Sequence, residues 1–424
     1  MSKSPDFSAL QAAAPELERR YAQFREQRLS LDMTRGKPSA EQLDLSNGLL
    51  TNLSLEDYKA ADGTDARNYG VPDGLPEAKA LFAEFLEVSP GEVLLGDNAS
   101  LTLMHDTIAR ALSHGVPGGE GPWSRAASAP KFLCPVPGYD RHFAICEHLG
   151  IEMINVDYTG EGPDMDRVEQ LVASDASIKG IWIVPKYANP TGETCSDRVV
   201  ERLARMKTAA KDFRIFWDNA YAHHHLNDSP PALANILEAC KAAGNADRVL
   251  IFGSTSKVSF AGGGIAIAGG SAANIAWLKK HRGIATIGPD KINELRHVRF
   301  FRDMDGIRAH MKKHQQIIAP KFELVDRVLT KELGGKGLAT WTKPAGGYFI
   351  SLDTVDGCAK QVVQMAAEIG VKFTSAGATF PYGKDPRDRN IRIAPTLPGL
   401  AEIETAIQVL SVCIQRATLQ RGRS

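Results

Sequence analysis

The stretch VLIFGSTSKVSFAGGG, residues 249–264, places one lysine directly after a short apolar run. Such a continuous apolar run is typical of a strand that is buried on both faces. Lys257 follows it among hydroxyl residues and precedes three consecutive glycines. A lysine normally keeps its charge in water, so a position at the end of a buried strand indicates a chemical role for its amine.

Six further apolar runs follow the same pattern along the chain. They are continuous rather than alternating, and longer helical patterns separate them. Both features favour a mainly parallel sheet covered by helices on each face. The sequence therefore predicts an α/β fold with a seven-stranded sheet, its strands at residues 93–96, 131–136, 151–156, 181–185, 214–217, 249–253 and 265–270.

The two ends of the chain differ from this middle part. Residues 9–28 predict an amphipathic helix, and residues 290–330 predict one long charged helix. The segments 346–354, 371–380 and 390–396 predict strands of a small α+β unit that ends in a helix. We expect an N-terminal arm at 1–45 that joins the small domain, a large domain at 46–310, and a small C-terminal domain at 311–424.

The composition is that of an ordinary globular protein with room for more than one core, since 43% of the 424 residues are hydrophobic and 24% are charged. Lys+Arg and Asp+Glu are 50 each, which predicts no nucleic-acid surface. The six cysteines are scattered and form no C-x-x-C pair, which favours a reducing compartment. No signal-peptide core or long apolar run appears, so we expect a cytoplasmic protein that does not bind membranes.

Polar groups that suit an anion follow two of the predicted strands. In an open α/β sheet, ligands bind beyond the carboxyl ends of the strands. Asn98, Ala99 and Ser100 come at the start of a predicted helix, whose free N–H groups attract an anion. Ser254 and Ser256 add hydroxyl donors after another strand. These residues predict a phosphate site.

The remaining strand ends suit a ring that carries an aldehyde. Tyr139 offers a flat face for stacking, and Asp218 can hold a positive charge on a ring nitrogen. Asn189 and Tyr221 can hydrogen-bond a ring oxygen. The amine of Lys257 can form a Schiff base with a carbonyl. A phosphate, a pyridine nitrogen, a phenolic oxygen and an aldehyde together describe pyridoxal 5'-phosphate.

Three motifs, each after a predicted strand, carry a family resemblance: YANPTGE at 187–193, DNAY at 218–221 and STSK at 254–257. With them the chain resembles the fold-type I pyridoxal-phosphate-dependent aminotransferases of the aspartate aminotransferase superfamily. It is most similar to a bacterial branch with an R-G-K-P entry motif and SK-x-x-F-A-G-x-G at the lysine. The resemblance extends from about Arg35 to about Pro395.

The resemblance implies a role for each residue of the site. Lys257 is expected to be the Schiff-base lysine and proton shuttle, Asp218 the partner of the ring nitrogen, and Tyr139 the stacking ring. Asn189 and Tyr221 are expected to bond the ring hydroxyl. The expected phosphate site comprises Asn98, Ala99, Ser100, Ser254 and Ser256, with Tyr69 reaching the phosphate of a partner subunit; Arg392 is expected to clamp the substrate α-carboxylate and Gly36 to lie against the substrate.

One position departs from the family pattern. Many members carry a phosphate-binding arginine eight residues after the Schiff-base lysine, and here that position is Ile265. Other groups therefore have to balance the phosphate, and the sequence offers the backbone N–H groups of Gly262–Gly264 or a basic residue from elsewhere.

The resemblance also implies the reaction, with L-aspartate as amino donor and 2-oxoglutarate as acceptor in a homodimer with shared active sites. An aminotransferase for aromatic, kynurenine-type or other amino acids, or another pyridoxal-phosphate-dependent reaction at the α-carbon, remains open. A dicarboxylate needs a second cation, for which the sequence leaves five candidates: Arg35, Lys37, Lys291, Arg296 and Arg299.

Other classes of function fit the sequence less well. Adjacent histidines such as His223–His225 point in different directions, and no ligand cluster surrounds them, so no metal is expected. The glycine-rich stretch after Lys257 lacks the G-x-G-x-x-G pattern of a dinucleotide site. A scaffold protein without the cofactor would predict loss of Lys257 or Asp218, and both residues are present.

Overall fold

The computed structural model describes residues 5–422, so the outermost residues of the predicted end segments, 1–4 and 423–424, lie outside the described part. Within it, helices alternate with strands through the middle of the chain. The helices are α1 (Phe7–Ala12), α2 (Ala14–Glu26), α3 (Ala40–Asp44), α4 (Pro76–Leu86), α5 (Ser100–His114), α6 (Asp140–His148), α7 (Met165–Ser174), α8 (Asp197–Arg205), α9 (Ile236–Ala242), α10 (Ala272–Ala285), α11 (Lys291–Phe301), α12 (Met304–Leu333), α13 (Ala359–Ile369) and α14 (Leu400–Arg421).

The strands form one large sheet and two small ones. The large sheet has the order β2-β8-β7-β6-β5-β3-β4, the small sheets β12-β10-β9 and β1-β11. The strands are β1 (Leu31–Asp32), β2 (Val93–Leu95), β3 (Lys131–Val136), β4 (Glu152–Asp157), β5 (Ile178–Ile183), β6 (Arg214–Asp218), β7 (Val249–Ser254), β8 (Ala266–Gly270), β9 (Ala339–Trp341), β10 (Ile350–Thr354), β11 (Val371–Lys372) and β12 (Asn390–Ile393).

The large sheet confirms the predicted α/β fold, because each of the seven apolar runs contributes one strand. All neighbouring strands pair in parallel except β8, which is antiparallel to both β2 and β7. Successive residues of a strand enter different cores: Ile251 packs in the core on one face and Phe252 in the core on the other. Burial of both faces explains why the runs are continuous rather than alternating.

A third core joins the two ends of the chain. It combines Leu17 and Tyr21 of α2 with residues of α12, α13 and α14, among them Val325 and Leu410. Strand β1 pairs with β11, so Leu31 lies opposite Val371. The N-terminal helices therefore pack on the C-terminal part of their own chain. We call this cluster the C-terminal core.

The predicted helix at 290–330 is wrong in one respect, since it is two helices. Arg302 adopts a left-handed backbone angle, φ 68°, which ends α11, and the side chain of Asp303 then caps α12 by accepting from the N–H of Gly306. Helix α12 has 30 residues with Pro320 inside it, and it passes through position 310 without interruption. The domain boundaries at 45 and 310 stay predictions.

The predicted strands of the C-terminal unit are shorter in the structure. Of the segment 346–354 only β10 is a strand, of 371–380 only β11, and of 390–396 only β12. The helix predicted at 9–28 is divided into α1 and α2, with a proline in the first turn of α2. In the described residues, none of the helices combines the length and the apolar character that crossing a bilayer requires.

Candidate active site

A cavity of about 570 Å³ lies at the carboxyl edge of the large sheet, where the predicted site residues follow their strands. The edge is formed by the ends of parallel strands, which bring residues distant in sequence to one place. Six of the predicted residues line this cavity: Gly36, Tyr139, Asn189, Tyr221, Lys257 and Arg392.

Lys257 lies partly buried in this cavity, three residues after the last residue of β7. Its Nζ is 5.0 Å from the ring centroid of Tyr221 and 6.0 Å from that of Tyr348. Removal from water lowers the pKa of the amine below its usual value, and the nearby carboxylate of Asp218 opposes that shift. A lowered pKa makes the neutral, proton-accepting amine more available.

Asp218 ends β6 and is buried, 2% exposed. Its Oδ2 lies 2.9 Å from Nε2 of His142, and the His142 ring stacks on Trp182 with centroids 4.1 Å apart. Among the described residues, none hydrogen-bonds to the other oxygen, Oδ1. An unpaired buried carboxylate oxygen is costly, so this atom is suited to an N–H donor from a ligand. His142 was missed by sequence reasoning, although it stands three residues after Tyr139 on the same helix face.

The residues predicted to bind an anion lie together at the N-terminus of α5. Ala99 is the N-cap residue, and Oδ1 of Asn98 accepts from the N–H of Gly264 at 2.7 Å. The hydroxyl of Ser256 donates to the carbonyl of Asn98 at 3.4 Å, and that of Ser254 donates to Ser256 at 3.1 Å. The residues of the candidate anion site are thus Asn98, Ala99, Ser100, Ser254, Ser256 and Gly264.

Glycine at 264 has a steric reason. A Cβ there would lie 3.1 Å from the Ser256 nitrogen and 3.2 Å from the Asn98 carbonyl oxygen. The adjacent Ile265 is buried in the sheet core and cannot supply a charge. Arg282, which is 3% exposed, has its Nη2 3.6 Å from Oδ2 of Asp97, the residue that precedes Asn98. Sequence reasoning did not single out this buried cation.

Arg392 of β12 is buried, 6% exposed, and its guanidinium lies 4.9 Å from the ring of Phe349. Its Nη1 donates to Oδ1 of Asp140 at 2.7 Å and, more weakly, to Oδ1 of Asn189 at 3.4 Å. Its Nη2 donates to Thr374 at 3.4 Å, and its buried Nε has no partner among the described residues. The predicted carboxylate clamp therefore lies in the cavity with Lys257 and is held by an internal carboxylate.

The entry motif R-G-K-P passes over the same cavity. A Cβ at Gly36 would come within 2.5 Å of the ring of Phe349, so any larger residue would require that ring to shift. Arg35 and Lys37 both line the cavity, and so does Arg141, which sequence reasoning missed. These three residues are the candidate cations for a second carboxylate.

The other three candidate cations have different surroundings. Lys291 donates to the carbonyl of Gly70, Arg299 pairs with Asp57, and the carbonyl of Arg296 accepts from Asn52. None of the three is among the described residues that line the cavity.

Tyr69 does not line this cavity. It is 81% exposed and lines a separate cleft of about 520 Å³ together with Ile287 and Lys291. Ile287 of this cleft is 61% exposed, and Ile284, three residues before it in the chain, is 89% exposed. The reach of Tyr69 into a partner subunit stays a prediction.

Three buried histidines lie behind Lys257, and we call them the rear histidines: His224, His310 and His314. Nε2 of His224 lies 3.3 Å from the carbonyl oxygen of Lys257. Nε2 of His310 and Nε2 of His314 lie 2.8 Å and 3.1 Å from that of Val258. Burial lowers the pKa of all three, to about 4 for His314, so they are uncharged at neutral pH.

These histidines are not arranged as metal ligands. Within residues 5–422, no group of three or more His, Cys, Asp or Glu side chains could hold a metal ion. Their polar contacts are with backbone carbonyls, with the side chains of Gln42 and Ser46, and between His310 and His314; Nε2 of Gln42 lies 3.1 Å from Nδ1 of His314.

Comparisons with known proteins identify the family of the chain. The family described as aspartate amino-transferase matches residues 5–423. A Mycolicibacterium smegmatis protein named as an aminotransferase is 53% identical, with 93% of each chain covered. The aspartate aminotransferase of Corynebacterium glutamicum is 46% identical over 96% of this chain and 93% of its own. A crystal structure of an aspartate transaminase from C. glutamicum superposes with a TM-score of 0.96 at 44% identity, covering 99% of this chain and 100% of that one. The chain therefore belongs to the aspartate aminotransferase family.

Proposed function

We propose that this aminotransferase transfers the amino group of L-aspartate to 2-oxoglutarate, with pyridoxal 5'-phosphate held in the cavity at Lys257. The family and the fold imply this cofactor. The observation that carries the proposal is the shared cavity of Lys257 and Arg392, an amine beside a carboxylate-binding cation, with the unpaired Oδ1 of Asp218 buried beneath.

The residues present fit the cofactor. Oδ1 of Asp218 would accept from the protonated ring nitrogen, while His142 holds the other oxygen and fixes the orientation of the carboxylate. Asn189 and Tyr221 would bond the ring oxygen, and Tyr139 would cover the ring face. The N-terminus of α5 and the serine hydroxyls would bind the phosphate, whereas the charge of Arg282 is balanced by Asp97.

When bound, pyridoxal phosphate supplies an electron-withdrawing ring that weakens the Cα–H bond of an attached amino acid. Asp218 stabilises that withdrawal because its negative charge favours the protonated ring nitrogen. Lys257 Nζ, with its lowered pKa, would accept the proton from the substrate Cα and hold it for return. Arg392 would hold the α-carboxylate and so orient the substrate in the cavity that contains that amine.

Aspartate as the donor is supported by the named function of the C. glutamicum relative and by the cations of the cavity. Arg392 would bind the α-carboxylate, which leaves Arg35, Lys37 and Arg141 for the distal one. A charged hydrogen bond of this kind contributes about 1.5–3 kcal/mol. Replacing the residue that binds the distal carboxylate by glutamine should raise the KM for aspartate roughly 10- to 100-fold.

We further propose a cytoplasmic homodimer in which Tyr69 of each subunit reaches the phosphate site of the other. The exposure of Tyr69 and of Ile287 around one cleft supports a covered surface. Size-exclusion chromatography with light scattering tests the dimer, and Tyr69→Phe should weaken cofactor affinity. A monomer with full cofactor affinity would contradict this part of the proposal.

The decisive test of the reaction is the visible absorbance of the purified protein loaded with pyridoxal phosphate. Aspartate should deplete the cofactor band, and 2-oxoglutarate should restore it. A protein that takes up no cofactor would refute the proposal. A protein that reacts with aromatic amino acids or kynurenine but not with aspartate would keep the cofactor site and replace the substrate.

A further inference from the structure

The buried guanidinium of Arg392 is occupied by a carboxylate of the same chain. Asp140 is the first residue of α6 and lines the cavity, and its side chain is 34% exposed. Its Oδ1 accepts from Arg392 Nη1 at 2.7 Å, the shortest of the contacts that Arg392 makes with described residues.

A substrate α-carboxylate needs the same donors. A carboxylate binds a guanidinium best through two parallel N–H bonds, and one of the outer nitrogens is already held by Asp140. Two carboxylates at hydrogen-bond distance from one nitrogen repel each other strongly. The incoming group therefore has to displace Asp140 from Nη1 or bind in a poorer geometry.

The surroundings of Asp140 favour its displacement, whereas those of Arg392 keep its guanidinium in place. A third of the Asp140 side chain already contacts solvent, so the displaced carboxylate is hydrated at once. It also stays at the N-terminus of α6, where a negative charge is stabilised by the helix dipole. Arg392 is 6% exposed and its Nε has no partner among the described residues, so it would be left as a buried unpaired charge without Asp140.

We propose that Asp140 is an internal substitute for the substrate carboxylate, which holds Arg392 in place in the free enzyme and is displaced when substrate binds. This inference rests on the proposed function, because it assumes that Arg392 receives the substrate α-carboxylate. Asp140 then weakens the binding of every carboxylate ligand alike, and it promotes product release. It acts on affinity and does not choose between amino acids.

The test measures binding of succinate, a dicarboxylate without an amine, to the pyridoxal-phosphate-loaded enzyme by calorimetry. Asp140→Asn should bind succinate about tenfold more tightly, since the competing charge is gone and the side chain keeps its shape. Asp140→Glu should resemble the native enzyme. Glu147→Gln, the same charge change near the other end of α6 and exposed to solvent, should leave the dissociation constant unchanged. Arg392→Ala should abolish the tight binding.

A crystal structure of the succinate complex gives a second readout that does not depend on how well the variants fold. In it a succinate carboxylate should occupy Arg392 Nη1, and Asp140 Oδ1 should lie beyond hydrogen-bonding distance. The inference is overturned if Asp140 keeps its bond to Nη1 in that complex, or if Asp140→Asn binds succinate no better than the native enzyme. Failure of the proposed function looks different: Arg392→Ala would then bind succinate normally, and aspartate would not react.

Discussion

The two sides of Lys257 differ in the charge of their neighbouring groups. The cavity side carries full charges, with Arg392, Asp140 and Arg141 around the amine. On the rear side, His224 and His310 contact the carbonyls of Lys257 and Val258 as neutral groups, because burial keeps their pKa values below the usual range. Charges stand where a charged ligand can enter and pair with them. Neutral dipoles stand where nothing enters, since a buried unpaired charge would be costly there.

The largest expected effect on turnover comes from a substitution on the cavity side. Lys257→Ala removes the amine that moves the proton, so kcat for aspartate should fall by on the order of 10⁴-fold or more. Stopped-flow or steady-state turnover measures this. Lys280→Ala, which removes an exposed lysine on α10, is the matched control and should keep native turnover. Appreciable turnover by Lys257→Ala would show that another base carries the proton.

A smaller effect on turnover is expected at Asp218, where one substitution separates the role of the charge from that of the packing. Asp218→Asn keeps the shape and a contact to His142 but removes the charge that favours a protonated ring nitrogen. Turnover should fall about 10²- to 10³-fold. The melting temperature of the cofactor-free protein should not fall, because the native Oδ1 has no partner among the described residues. A large loss of melting temperature would instead assign Asp218 a structural role.

On the rear side, His310 offers a test by rescue. His310→Leu leaves the carbonyl of Val258 with only the longer bond from His314, and the free energy of unfolding should fall by about 1–3 kcal/mol. His310→Gln can donate from its amide and should restore most of that loss, together with turnover. Urea denaturation and kcat measure the two effects. Equal stability of the leucine and glutamine variants would contradict the hydrogen-bonding role.

The smallest expected effect is a pH dependence of stability from His314. Its pKa in the folded protein is about 4, against an ordinary value of 6.5, so the unfolded chain binds more protons between these values. Its contribution to stability is therefore complete above pH 6.5 and is lost as the pH falls toward 4. One such histidine lowers the free energy of unfolding by about 1–2 kcal/mol between pH 7 and pH 5. His314→Gln should reduce that loss in urea denaturation.

An opposite dependence is expected from Glu294, and it serves as an internal check on the histidine effect. Burial raises the pKa of Glu294 to about 8, while its carboxylate oxygen accepts from the N–H of Leu75. The contribution of Glu294 to the free energy of unfolding is complete below its ordinary pKa near 4.5 and is lost as the pH rises through 8. Glu294→Gln should therefore remove the loss of stability that Glu294 causes as the pH rises from 4.5 to 8, and it should leave stability below pH 4.5 unchanged.

Much of the fold and the site could be predicted because strand ends obey a simple rule. Lys257, Asp218 and Asn189 each follow an apolar run, and parallel strands bring such positions to one edge. The contacts across the site were not predictable in this way. Asp140 and Arg392 are 252 residues apart, and nothing in either neighbourhood marks the pair.

The break between α11 and α12 was hidden for another reason. Neither glycine nor proline marks it, because Arg302 itself takes the left-handed backbone conformation that normally favours glycine. The rear histidines were also overlooked as a group. In the sequence, His224 stands out only beside its neighbours His223 and His225. His310 and His314 lie on α12, more than eighty residues further along the chain.

Helix α12 connects the sheet core to the C-terminal core and contains a proline. Its 30 residues span about 45 Å, from the sheet core at Ile307 to the C-terminal core at Val325. Pro320 lacks the N–H that would bond the carbonyl of Gln316, so bending is easiest there. His310 and His314 lie on the sheet side of this proline. The two histidines that contact the carbonyl of Val258 therefore belong to the half of α12 that packs on the sheet core, whereas Arg392 lies on β12 between Ile391 and Ile393 of the C-terminal core.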